Sequence, residues 1–77
     1  MRAASKVPEG ATAISFKHED SERGIAFGPA YFVTPRGHVP VVDSGRRRLG
    51  GEPEAEWLAL PDVYVYAESV GLPVEEH

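Results

Sequence analysis

The first regular pattern in the chain is an alternation. In the segment Ala11-Thr12-Ala13-Ile14-Ser15-Phe16-Lys17, Thr12, Ile14 and Phe16 point one way while Ala13, Ser15 and Lys17 point the other. A period of two marks a half-buried strand. Residues 18–23 (HEDSER) are charged and run into Gly24, which suits an exposed turn or loop. The next segment, Ile25 to Val33, is apolar and β-prone, with Ile25, Phe27, Tyr31 and Val33 on one face. Gly28-Pro29 interrupts it, and proline lacks the donor that a central ladder needs. The sequence therefore predicts a bulge there, or an edge strand.

Thr34-Pro35-Arg36-Gly37 is the clearest local signal. Proline at the second position of a turn and glycine at the fourth suit a type I turn that closes on a left-handed glycine. Residues 38–43 (HVPVVD) then read as a returning strand, so that 31–43 forms a hairpin. Residues 44–53 (SGRRRLGGEP) place three glycines around three arginines and read as an irregular surface loop. The first ten residues are polar and read as a loosely ordered lead-in.

Beyond that loop the period changes. Residues 54–60 (EAEWLAL) are good helix formers with acids near their start, and Pro61 should end or kink that helix. From Asp62 to Val70 two patterns compete. Val63-Tyr64-Val65-Tyr66 alternates β-formers, while Gly71-Leu72-Pro73 supplies a left-handed cap, an apolar follower and a stop. The helical reading is preferred, with Val63, Tyr66, Ala67 and Val70 on one face and Tyr64 and Val65 off it. The expected fold is a small α+β domain: an antiparallel sheet of three to four strands within residues 11–43 and one or two short C-terminal helices. An all-β fold, with 62–68 as a closing strand, is the alternative.

Length and composition bound the rest. At 77 residues there is room for one small domain whose core is limited. Cysteine is absent and Met1 is the only methionine, which removes disulfides, thiolate metal sites and methionine-rich metal capture. No apolar run approaches a bilayer span, and no apolar stretch succeeds the N-terminal residues as in a secretory signal. A cytoplasmic, soluble protein with no membrane association is the expectation.

Charge is more informative divided than summed. Residues 1–50 hold all eight basic side chains against five acids, a net of +3, whereas residues 51–77 hold seven acids and no Lys or Arg, a net of −7, together giving the −4 of the chain. Segregation of this kind is a hint of interaction.

Candidate chemistry is sparse. His18, His38 and His77 form none of the short-spaced pairs from which zinc sites are built. They read as exposed turn, strand-end and chain-terminal residues, so no metal or cofactor is expected. No G-x-S-x-G elbow and no glycine-rich phosphate loop is present, and so small a chain has little wall for a catalytic cleft. A non-enzymatic protein is expected. Ala67 and Gly71 fall where a helix-turn-helix places its small residue and turn glycine, but no basic residue lies nearby to meet phosphate.

Two surfaces remain. Trp57, Tyr64 and Tyr66 lie among Glu54, Glu56 and Asp62, and exposed aromatics among acids are typical protein-interface anchors. This is the preferred reading: a protein-interaction module of the accessory or inhibitory kind, such as those of phages and mobile elements. Homodimerisation between the oppositely charged portions is one form of it. Arg46-Arg47-Arg48, with Arg36 at the hairpin tip and Tyr31, Phe32 or Phe27 as stacking faces, form the rival: a nucleic-acid contact. Neutralisation of the same arginines by the acidic C-terminal third is the third option.

Overall fold

A computed structural model describes residues 4–77. Among these residues the order is β1 (Ala13–Phe16), β2 (Asp20–Glu22), β3 (Ile25–Thr34), β4 (Gly37–Pro40), β5 (Asp43–Arg47), β6 (Pro53–Ala55), β7 (Trp57–Ala59), α1 (Leu60–Val70) and β8 (Val74–Glu76). One helix on a mostly β framework is an α+β arrangement, with six strands in the main sheet and β5–β6 as a separate pair.

β3 organises the sheet because both of its edges are used twice. Along one edge its first residues pair with β2 and its last with β1. Along the other, Phe27–Pro29 pair with β7 and Tyr31–Thr34 with β4, all antiparallel. β3 is thus neither an edge nor interrupted. The irregularity expected at Gly28-Pro29 is carried by the facing chain instead. Phe16 pairs with Ala30 and Asp20 with Phe27, so the β1–β2 side uses one residue more than β3 over the same stretch, a bulge. Pro29 still accepts there through its carbonyl, from Lys17 N–H at 3.1 Å. The bulge presses the Lys17 carbonyl onto Gly28, where an added Cβ would lie 1.8 Å from that oxygen. Only glycine fits.

Ile25, Phe27, Tyr31 and Val33 share a face, as their spacing predicts, but it is the outer face. The opposite phase, Ala30 and Phe32, enters the core with Ile14 and Phe16 of β1, Val41 and Val42 after β4, Leu58 of β7, and Val63 and Ala67 of α1. Among the described residues no polar or charged side chain is buried. Phe16 and Phe32 are the largest core members, and truncating either to alanine costs about 3–5 kcal/mol.

The segment 54–60 departs from its expected helix. Its two halves are β6 and β7, because pairing with β5 and β3 buries Ala55 and Leu58, a tertiary gain that outweighs modest helix propensity. Pro61 accordingly starts a helix rather than ending one. It sits in the first turn of α1, where its missing N–H has no intrahelical partner to lose. Asp62 stands in the same turn, favourably placed against the helix dipole. The preferred helix at 62–70 is present, with Val63 and Ala67 buried, Tyr66 and Val70 packed against the core, and Tyr64 and Val65 exposed. Gly71 adopts φ +72°, its N–H bonds Glu68 C=O, and Leu72 N–H bonds Ala67 C=O. This is the paired closure of a Schellman cap.

Further features differ from the sequence expectations. β8 adds a strand after the helix, and it runs parallel to β1, not antiparallel. His77 is held on both sides, its N–H to Phe16 C=O and its C=O to His18 N–H. Residues 44–53 are half strand, with Ser44–Arg47 in β5 and Pro53 in β6, and the irregular part is confined to the connection 48–52. Of the lead-in, residues 1–3 lie outside the described residues, and the remainder is tied down: Ser5 N–H bonds Val41 C=O at 2.7 Å, and Ala4 and Val7 pack on the core. No helix among the described residues is long and apolar enough to cross a membrane.

Candidate functional site

Residues paired across antiparallel strands face the same side. Trp57 is paired with Pro29, so it stands on the outer face of β3, opposite the core-facing Leu58. It is 51 % exposed and is shared by two clefts. The first, about 210 Å³, is lined by Asp20, Ser21 and Glu22 of β2 with Phe27 and Trp57. The second, about 480 Å³, is lined by Ser44, Arg46, Glu54, Glu56 and Trp57. An indole with both flanks accessible and carboxylates around it is the most developed surface feature at this end. The hairpin behind it is fixed locally: Ser44 Oγ donates to Glu54 C=O at 2.8 Å.

The other residues expected to act with Trp57 divide. Glu54 and Glu56 join it. Tyr66 turns inward, its ring edge-on to Phe32 with centroids 6.2 Å apart and its hydroxyl toward Ser5 C=O, and burial raises its pKa. Asp62 serves the start of α1. Tyr64 lies in a different, more apolar cleft with His18, Ile25, Leu60 and Pro61. There the Tyr64 hydroxyl donates to Glu76 Oε2, and His18 Nε2 lies 2.9 Å from Glu76 Oε1. These bonds, the tyrosine's first, hold the Glu76 carboxyl below its ordinary pKa, and the carboxylate in turn raises that of Tyr64. The cluster fastens β8 to α1 and to the β1–β2 bend.

The arginine triplet does not act as a unit. Arg46 lines the Trp57 cleft. Arg47 pairs with Asp43 at 3.1 Å, a carboxylate on its own strand and not in the acidic C-terminal third. Asp43 is held below its usual pKa first by the Gly45 N–H and then by Arg47. Arg48 points to another groove, its Nη2 3.4 Å from the Tyr31 hydroxyl. Arg36 reaches that groove too.

Sequence reasoning misses that Phe27, Asp20 and Glu22 belong with Trp57, and that Lys17 and His38 belong with Tyr31. The odd-numbered face of β3 is the available signal. Its partners across β2, β4 and β7 depend on pairings that no local pattern encodes. Among the described residues no group of three or more His, Cys, Asp or Glu is placed to hold a metal ion. Compared with protein-family models, curated proteins and solved structures, the chain matches none of them.

Proposed function

We propose that the chain is a non-enzymatic protein-interaction module whose anchor is Trp57. The observation that carries this reading is a half-exposed indole between two clefts that bring Asp20, Glu22, Glu54 and Glu56 around it. Tryptophan is the residue type most able to concentrate binding energy in a small contact. Four carboxylates against the single cation of Arg46 favour a partner segment that combines an apolar group with Lys or Arg, whose cation can also sit over the indole face. The partner is a different chain in this reading. On one side of the main sheet the outer strands β2 and β8 carry Asp20, Glu22, Glu75 and Glu76, so edge-to-edge pairing of two copies along that side sets like charges together, whereas the other side ends in β4 and β7. Nucleic-acid binding through Arg36 and Arg46–Arg48 is the lesser reading, because the triplet is dispersed.

The test is capture from a host lysate on immobilised protein, with nuclease present, using wild type and Trp57→Ala in parallel. The expected result is a stoichiometric protein retained by wild type and lost with Trp57→Ala. Trp57 is the only tryptophan in the chain, so adding the purified partner should blue-shift and change the intensity of its fluorescence. A retained protein that ignores the substitution, or recovery that collapses with nuclease, contradicts the proposal.

A further inference from the structure

The other end of the same sheet face holds a groove of different character. It is open, about 500 Å³ in volume, and centres on Tyr31 with Pro29 beside it. Lys17, Arg36, His38 and Arg48 line it. Three segments far apart in sequence supply them: the bulge after β1, the β3–β4 turn with the start of β4, and the residue that follows β5. Tyr31 and His38 are diagonal neighbours across β3 and β4, with ring centroids 6.0 Å apart and planes inclined by 30°. Cations and two neighbouring rings, tilted to one another, therefore meet in one concavity.

We infer that this groove binds a nucleotide unit, its base against the Tyr31–His38 pair and its phosphate against Arg36 and Arg48. Flat aromatic surfaces accept any base, and guanidinium groups match phosphate oxygens. The acids present define the size of the ligand. Glu19 and Glu52 also line the groove, and Lys17 is paired with Glu19 at 3.1 Å. That leaves two arginines to meet an anion, enough for one or two phosphates but poorly suited to a long tract of polyanion across a chain of net charge −4. The two carboxylates accept hydrogen bonds from sugar hydroxyls. The volume falls in the range of small-ligand sites.

The nucleotide unit has two sources, a free nucleotide or a single strand of nucleic acid, and the experiment separates them. Amide spectra of the isotope-labelled full chain are followed while AMP, oligo-dT, adenosine or inorganic phosphate is added. AMP or oligo-dT should shift Tyr31, His38, Arg36 and Arg48 together, more tightly than adenosine or phosphate alone. Equal affinity per nucleotide for AMP identifies the free nucleotide. Tighter binding of oligo-dT, weakening with salt, identifies the strand. The Arg36→Ala, Arg48→Ala double variant should lose about tenfold or more in affinity, and Tyr31→Leu roughly fivefold or more. Each should retain the dispersed spectrum of the folded chain, and Trp57→Ala should bind as wild type does. Three results overturn the inference: no shift with either AMP or oligo-dT at millimolar concentration, phosphate binding as tightly as AMP, or the arginine double variant binding undiminished.

Discussion

Two ends of one sheet face are built on the same strand and carry rims whose charge balance differs in sign. At the start of β3, Phe27 and Trp57 are bordered by Asp20, Glu22, Glu54 and Glu56, with Arg46 the one cation among them. A few residues along, Tyr31 and His38 are bordered by Lys17, Arg36 and Arg48 against the two carboxylates of Glu19 and Glu52. The aromatic floor is common to both ends and the charge differs. This division does not match the linear one. The net +3 of residues 1–50 and −7 of residues 51–77 suggest a basic half facing an acidic half. In the fold, β2 from the basic half contributes acids to the Trp57 end, while Glu52 from the acidic half joins the Tyr31 end. Strand pairing, and not sequence position, sorts the charge.

The largest effect comes from breaking the feature common to the two ends. Gly28→Ala forces a Cβ into the Lys17 carbonyl at 1.8 Å, within the strand that carries both. A loss of about 3 kcal/mol in stability is expected, read by urea or thermal denaturation. In a domain whose total stability is on the order of 4–12 kcal/mol, both ends should weaken together.

Next in size is the change that separates them. Trp57→Ala should weaken the protein partner by about 2 kcal/mol or more, while stability falls by less than about 1 kcal/mol because the side chain is half exposed. Calorimetric titration together with denaturation tests both halves of that statement. If stability falls as far as binding, Trp57 is a packing residue.

A smaller effect concerns the acid rim. Glu54→Lys should weaken the same partner by about 1 kcal/mol and flatten the salt dependence of its association rate, as measured by stopped-flow mixing at several ionic strengths. An unchanged salt dependence would show that the carboxylates do not steer the partner.

The smallest effect lies away from both ends, at Tyr64, Glu76 and His18. The folded-state pKa of Glu76 is depressed, so its contribution to stability is complete above the ordinary carboxylate value and is lost as pH falls through the folded value. Tyr64→Phe removes the first of the bonds that cause the depression. The Glu76 carboxyl should then titrate closer to its ordinary range, as followed by carboxylate carbon shifts, with both ends of the sheet face unaffected. A Glu76 titration that Tyr64→Phe leaves unchanged would remove the tyrosine from that account.

The range of the forces involved decides which features are legible in the sequence. The strand that carries Ile14 and Phe16, the turn at Thr34–Gly37 and the Gly71 cap each depend on a few adjacent residues, and each appears in the fold, although Thr12 lies outside the strand and Ala13 is buried as well. Residues 54–60 show the opposite case. Local propensity favours a helix, yet Leu58 gains more by pairing into the sheet opposite Gly28. Pro61 then acquires the reverse of its expected role. The same limit applies to the site. Trp57 with Glu54 and Glu56 is visible as a local cluster, but only proximity in sequence groups Tyr64 and Tyr66 with it. The helix directs one to a separate cleft and the other to the core.

The central claim is most directly tested by mapping where a protein partner lies on the folded chain. Isotope-labelled protein, mixed with the partner captured through Trp57, should show its largest backbone and indole shifts at Trp57, Phe27, Glu54 and Asp20–Glu22. Shifts concentrated instead on Tyr64 and Val65 of α1, or on Arg36, Arg48 and Tyr31, would contradict it.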